Sequence, residues 1–249
     1  MGIWYSTPEI PAGSANPDQV FEAYKGKWYQ TGVKYWESQD SNNNGMLGGL
    51  PQVSSTDAIQ SEQFVSKYQL NHGMGCQRCA DIGAGIGRVS DLILSKYFKE
   101  IDLVEPVQKF VDVAKEKLKN KVILRTYTCG AQDWEIDGLF DCFWAQWTIM
   151  FLTDEDAIKF LKRCKEHLNT NGFIFVKDNV ANSNQKAQKD EANWNPDDCS
   201  IARTYMHYKE LFQKSGLTVQ EEYIDELPDE DEIGFDPQEL MPIYTFVLH

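Results

Sequence analysis

Residues 81–88 read Asp-Ile-Gly-Ala-Gly-Ile-Gly-Arg, and Ile101-Asp-Leu-Val-Glu105 follows at the distance of one helix. A short apolar strand ends in a glycine turn, the turn opens a helix, and the next strand ends in a carboxylate. Such a unit lays a nucleotide-like ligand across the C-terminal edge of a parallel sheet. Gly83, Gly85 and Gly87 are expected to admit the ligand where any side chain would intrude. The helix start offers free N–H groups, and Glu105 is placed to accept hydrogen bonds from two ribose hydroxyls.

Outward from this unit, short apolar runs alternate with amphipathic stretches. The pattern predicts strands near 78–83, 101–105, 122–127, 140–146 and 172–177, with helices near 87–97, 107–119 and 155–168. Strands alternating with helices mean a parallel sheet with right-handed crossovers. Asp156, three residues after Thr153, is expected to cap the third of these helices. A helix near 203–214 precedes two strand-like runs, Leu217–Tyr223 and Pro242–Leu248, joined by the acidic stretch DELPDEDEIGFDPQE. Two terminal strands joined this way suit the antiparallel end of a seven-stranded sheet. Toward the N-terminus lie a helix near Ser61–Leu70, a polar loop with glycines over 40–49, and a helical pattern from Asp18 through Trp36. Residues 1–17, with three prolines, read as a mobile tail. The division expected is therefore a tail (1–17), a helical segment forming part of an active-site cover (18–72) and an α/β domain (73–249).

The 24 basic and 38 acidic residues leave a net charge of −14, which argues against nucleic acid as partner, since phosphate binding needs basic patches. The same balance suits a basic peptide. No apolar run approaches the length of a membrane span, and the first residues lack a signal-peptide pattern. The Met-Gly start with Ser6 fits a myristoylation pattern loosely, without a polybasic stretch to support it. Cys76 and Cys79 have no second ligand pair, so no metal is expected. Reduced thiols in a cytoplasmic or nuclear monomer are the expectation.

The glycine turn separates two cofactor classes. A dinucleotide fingerprint needs Gly or Ala at position 88, which is arginine, and Asp81 stands just before the first glycine. Asp-x-Gly-x-Gly-x-Gly resembles the first motif of S-adenosylmethionine-dependent methyltransferases; a bare strand-to-helix turn is the alternative. Tyr35-Trp36, Gly45-Met-Leu-Gly-Gly49, Gly130-Ala-Gln-Asp133, Gln146-Trp147, Leu152-Thr-Asp154, Lys177-Asp-Asn179 and Leu227-Pro-Asp229 narrow this further. With residues 81–88 they resemble the α-N-terminal protein methyltransferases, which methylate the free amino terminus of proteins beginning X-Pro-Lys. The resemblance runs from about Lys27 to the end.

That resemblance implies a seven-stranded, Rossmann-like class I methyltransferase sheet (an α/β fold) with an N-terminal helical extension. It implies that Gly83, Gly85, Gly87, Arg88, Glu105, Ala131, Gln132 and Gln146 hold S-adenosylmethionine, with Trp36 and Leu47 closing over it. Trp147 would pack on the substrate's proline. Asn179 would bind the peptide backbone, and Asp198 would face the amine or the third-position lysine, taking whatever base role there is. Asp178, Asp197, Ser200 and Tyr244 would line the peptide channel. The family usually has aspartate at the Glu105 position, and a histidine where this chain has Phe151. Two rival functions stay open: transfer to another amine, and cofactor binding without turnover. An α-amino group, with a pKa of about 7.7–8 against about 10.4 for lysine, is partly neutral near pH 7 and needs only a modest base.

Overall fold

The computed structural model describes residues 10–183, 186, 188–226, 230–234, 236–237 and 240–249. Residues 1–9 of the expected tail, and Leu227-Pro-Asp229, lie outside them.

The central sheet is built from β2 (Arg78–Ile82), β3 (Glu100–Val104), β4 (Ile123–Tyr127), β5 (Phe140–Gln146), β6 (Leu168–Asn179), β9 (Val219–Ile224) and β10 (Ile243–Leu248). Its order is β4-β3-β2-β5-β6-β10-β9, with β10 antiparallel to both neighbours and the remaining pairs parallel. This is the seven-stranded α/β sheet expected. Every residue of β5 is buried, as befits a central parallel strand covered on both faces. At the edge, β9 alternates half-buried and exposed residues, the signature of a strand with one wet face. Trp144 is a core residue, stacked on Phe175 with ring centroids 5.0 Å apart.

Helices α6 (Gln108–Leu118), α7 (Asp154–Glu166) and α8 (Tyr205–Lys214) cover the faces. The cap of α7 is Thr153, whose hydroxyl accepts from the Asp156 N–H at 3.3 Å; Asp156 sits one turn in and is not the cap. The helix expected over 87–97 is π-helical over Ser90–Leu94 before closing as α5 (Ser95–Tyr97). The strand expected over 172–177 extends to 168–179.

The N-terminal segment forms α1 (Pro17–Ala23), α2 (Trp28–Ser38), a single turn α3 (Asn43–Met46) inside the expected loop, and α4 (Val53–His72). Asn16 caps α1 and Pro17 stands in its first turn, where its missing N–H costs nothing. The end of the expected tail is ordered structure. Gly13–Ala15 form β1, antiparallel to β7 (Ala192–Asn195), which also pairs with β8 (Ser200–Ala202). This small sheet lies between β6 and α8 in the chain, apart from β1. Trp28 of α2 stacks on Trp194 of β7 (5.3 Å), so the N-terminal helices are fastened to a segment late in the chain.

Candidate active site

Parallel strands end at one edge of the sheet, and the loops that follow β2, β3, β4 and β5 meet there around a cavity of about 440 Å³. Its volume falls within the range of small-molecule sites. Helices α2 and α3 form the opposite wall.

The glycine turn lies on the floor. Gly83, Gly85 and Gly87 all have positive φ (67°, 53° and 72°). Their neighbours correct the expectation that bare backbone is needed only for a ligand. A Cβ on Gly83 would lie 2.3 Å from Thr148 Oγ1, one on Gly85 3.0 Å from Met46 Sδ, and one on Gly87 2.9 Å from the Ala114 Cβ of α6. Gly83 and Gly85 line the cavity; Gly87 does not, and serves the packing of the turn on α6.

Glu105, at the end of β3, is buried with its carboxylate directed into the turn. Its Oε2 accepts from the Gly85 N–H (2.9 Å) and its Oε1 from the Val107 N–H (2.8 Å). Burial pushes its pKa up to about 7, against the pull of those two N–H groups. Asp81 is also buried and accepts from the Ser90 hydroxyl (2.6 Å), which is carried in by the π-helical turn. Burial raises it to about 6, while Ser90 and Arg88 draw it down.

Arg88 and Gln146 line the cavity too, and each is already engaged. Arg88 NH1 donates to Asp57 Oδ2 at 2.7 Å, and the Gln146 amide donates to Asp57 Oδ1 at 2.8 Å while accepting from the Trp144 indole at 3.0 Å. The Arg88 guanidinium lies 5.5 Å from the centre of the Trp147 ring. Trp147 itself has φ 49°, a left-handed conformation that turns its indole into the cavity wall. Ala131 and Gln132 complete the side nearest β4, where the Gln132 amide donates to Asp133 (2.9 Å).

The mouth is aromatic and acidic. Trp36 and Leu47 line it as expected positions of the cover, and Trp36 meets Phe151 edge-to-face with centroids 5.8 Å apart. Trp28, Tyr29, Met46 and Phe110, none named as a site residue from sequence, line the cavity as well. The Trp28 indole donates to the Phe151 carbonyl (2.6 Å), and the Tyr29 hydroxyl to Asp156 (2.5 Å). Asp198 closes this end. It is buried, its Oδ1 accepts from the Ser200 N–H (3.1 Å), and burial raises its pKa against the Ser200 hydrogen bonds.

Besides Gly87, five expected site residues fall outside the cavity lining. Asp178 is fully buried and bonds the loop after β5, its Oδ1 accepting from the Thr148 N–H at 3.1 Å. Burial raises its pKa to about 7. Tyr244, opposite Asp178 on β10, packs in the core against Phe246 (5.7 Å) and Tyr205 (5.8 Å). Asn179 ends β6 beside Ile243. Asp197 is exposed, its N–H bonded to Asn195, and Ser200 is turned to Asp198. Strand alternation explains Tyr244: it shares a face with Phe246 and Leu248 against α8.

The residues present fit S-adenosylmethionine. Glu105 offers a buried acceptor for a ribose, Ile86, Phe110 and Ala131 offer apolar walls for a base, and Arg88 and Asp81 offer opposite charges for an amino-acid end. Among the described residues no cluster of histidine, cysteine, aspartate and glutamate suits a metal ion.

Comparison with known proteins agrees. A family model described as AdoMet dependent proline di-methyltransferase matches residues 24–249. A relative from Dictyostelium discoideum, alpha N-terminal protein methyltransferase 1, is 36% identical over 230 residues, spanning 89% of this chain and 79% of that protein. The N-terminal Xaa-Pro-Lys N-methyltransferase 1 of Danio rerio is 34% identical, spanning 89% of this chain and 95% of its own. Among solved structures, a SAM-dependent methyltransferase of Leishmania major superposes with a TM-score of 0.82 at 28% identity, covering all of both chains.

Proposed function

The chain belongs to the AdoMet-dependent proline di-methyltransferase family, and from that premise we propose that it transfers methyl groups from S-adenosylmethionine to the free α-amino group of proteins starting X-Pro-Lys. The observation that carries this reading is one cavity with two chemically distinct sets of lining residues. Asp81, Arg88 and Glu105 come from the glycine turn and the strand after it; Trp36, Trp147, Phe151 and Asp198 add an aromatic and acidic lining. The bound cofactor supplies the electrophilic methyl group and its thioether leaving group. The protein's task is then to bring a neutral amine into line with that methyl and to exclude water.

Glu105 would hold the ribose and Arg88 the carboxylate of the methionine end, with Gln132, Gln146, Ala131 and the Gly83–Gly85 turn around them. Trp36 and Leu47 cover the reacting end. Trp147 offers its indole face to the substrate's proline, an apolar contact suited to a flat ring. Asp198 would face the amine, and burial raises its pKa, which makes it a better proton acceptor than an exposed aspartate. Phe151 places an apolar ring where a second base would stand, leaving Asp198 or solvent as the proton acceptor. Asn179, Asp197, Ser200 and Tyr244 lie behind or beside this wall, and a role for Asn179 in peptide binding would need the end of β6 to open toward the mouth. Basic N-termini suit the net charge of −14, and the reading takes a monomer in cytoplasm or nucleus.

The test is mass spectrometry of a Ser-Pro-Lys peptide incubated with the chain and S-adenosylmethionine, beside its N-acetylated counterpart. Methyl additions on the free peptide alone are the expected result. Additions on both would move the chemistry to the lysine side chain. No addition, with cofactor binding retained, would favour the non-catalytic reading that Phe151 keeps open.

A further inference from the structure

Asp57 of α4 does not line the cavity, yet two side chains that do are tied to it. Its Oδ2 accepts from Arg88 NH1 (2.7 Å) and its Oδ1 from the Gln146 amide (2.8 Å). Lys177 of β6 lies 2.6 Å from the same Oδ1. Lys177 in turn donates to Ser61 Oγ (3.0 Å) and is ion-paired with Asp225, whose other oxygen accepts from Thr245 (2.8 Å). Asp57, Arg88, Lys177 and Asp225 are all buried, and their charges sum to zero. Burial opposes the ionisation of Asp57, but Lys177 and Arg88 hold its pKa below the usual carboxylate value.

A buried ionic network of this kind is weak support for stability, because desolvation offsets most of the attraction. Its geometry is more telling. Asp57 takes one edge of the Arg88 guanidinium, while Trp147 lies 5.5 Å from its centre, so the plane of the group is set from two sides. The remaining N–H groups of a five-donor fork are left for a ligand carboxylate. Gln146 is fixed likewise: Trp144 holds its oxygen and Asp57 its nitrogen. A fixed amide and a fixed guanidinium share one anchor, and that anchor sits on the helix leading out of the cover.

Resting on the cofactor reading above, we propose that Asp57 is the positioning residue for the amino-acid end of the cofactor, acting through Arg88 and Gln146. It also ties the N-terminal segment to that end, because α4 continues the chain of α2 and α3. Adenosine recognition, which falls to Glu105 and the apolar walls, is independent of it.

The experiment is calorimetric titration of the full chain and of Asp57→Asn with two ligands. S-adenosylhomocysteine carries the amino-acid end; 5′-methylthioadenosine keeps the nucleoside and sulfur and lacks that end. Removing a charged hydrogen-bond partner is worth about ten- to a hundredfold in affinity. The expected result is a loss of that size for S-adenosylhomocysteine, with methylthioadenosine changed less than about twofold. Equal losses for both ligands would make Asp57 merely structural and overturn the proposal, as would no loss for either. If Asp57→Asn does not fold, Asp57→Ser repeats the comparison with room for a water, and failure of both to fold overturns the proposal. If the unmutated chain binds neither ligand, the cofactor reading itself falls, and this inference with it.

Discussion

Glu105 carries two opposed demands. Burial lifts its pKa from the usual 4.5 to about 7, so the folded chain holds a proton that the unfolded chain releases. Its contribution to stability is full below 4.5 and is lost as pH rises through 7. Glu105→Gln cannot ionise, although its amide meets one of the two backbone N–H donors, so its melting temperature relative to the unmutated, ligand-free chain is expected to be higher at about pH 8 than at about pH 5. Two ribose hydroxyls need the ionised form as acceptor. Affinity for S-adenosylhomocysteine should therefore rise between about pH 6 and about pH 8 in the unmutated chain and rise less in the variant, where only Asp81, raised to about 6, still titrates beside the turn. A flat profile in both would refute the assignment. Phe151 allows a second prediction. His207 is bound to Asp154 (2.7 Å) away from the cavity, and its pKa is lowered by burial. No histidine step near about 6.5 is then expected in the pH–rate profile, and Phe151→His is expected to introduce one. A step in the unmutated chain that His207→Gln abolished would contradict this.

The glycine turn shows what an element demands of a residue. A Cβ on Gly87 meets the Ala114 Cβ at 2.9 Å at a positive φ, whereas Gly48 has positive φ and open space. Gly48→Ala should lose about 1 kcal/mol from backbone strain alone, and Gly87→Ala about 1–3 kcal/mol more from the clash, read from urea midpoints. Equal losses would mean that α6 gives way freely. β2, β3, β5, β6 and β10 were legible as runs of buried, mostly apolar residues, as FDCFWAQ is for β5, and the edge strands β4 (ILRTY) and β9 (VQEEYI) through apolar residues interleaved with polar ones. β1, β7 and β8 were not: strands of three or four residues with sequences such as GSA and ANWN show no period, and their order comes from pairing with distant chain. The Thr153 cap was misassigned by one turn because Thr and Asp both cap well, and only the β-region backbone at Thr153 decides between them.

Across the whole molecule, the excess of acidic charge acts on a cationic peptide at a distance. Raising ionic strength from about 0.01 to about 0.1 M shortens the screening length from about 30 to about 10 Å. KM for a Pro-Lys peptide is expected to rise several-fold over that range, while the affinity of the net-neutral S-adenosylhomocysteine holds; unchanged peptide KM would leave the charge without a steering role. The glycine-turn side of the cavity was legible because Gly83, Gly85, Arg88 and Glu105 lie within one strand-turn-helix-strand unit. Asp57 was not, since Arg88 stands 31 residues away from it and Gln146 89. Trp28 likewise reaches Phe151 across 123 residues. A longer reach fastens the N-terminal segment, with the Trp194 indole donating to the Ile10 carbonyl 184 residues earlier. On a ribosome, Ile10 and Trp28 must therefore wait for β7 before they can dock on it, since a loop this long gains nothing until its far end arrives. A nascent chain that stops short of β7 carries the glycine turn while Trp28 of α2 still lacks the indole it stacks on.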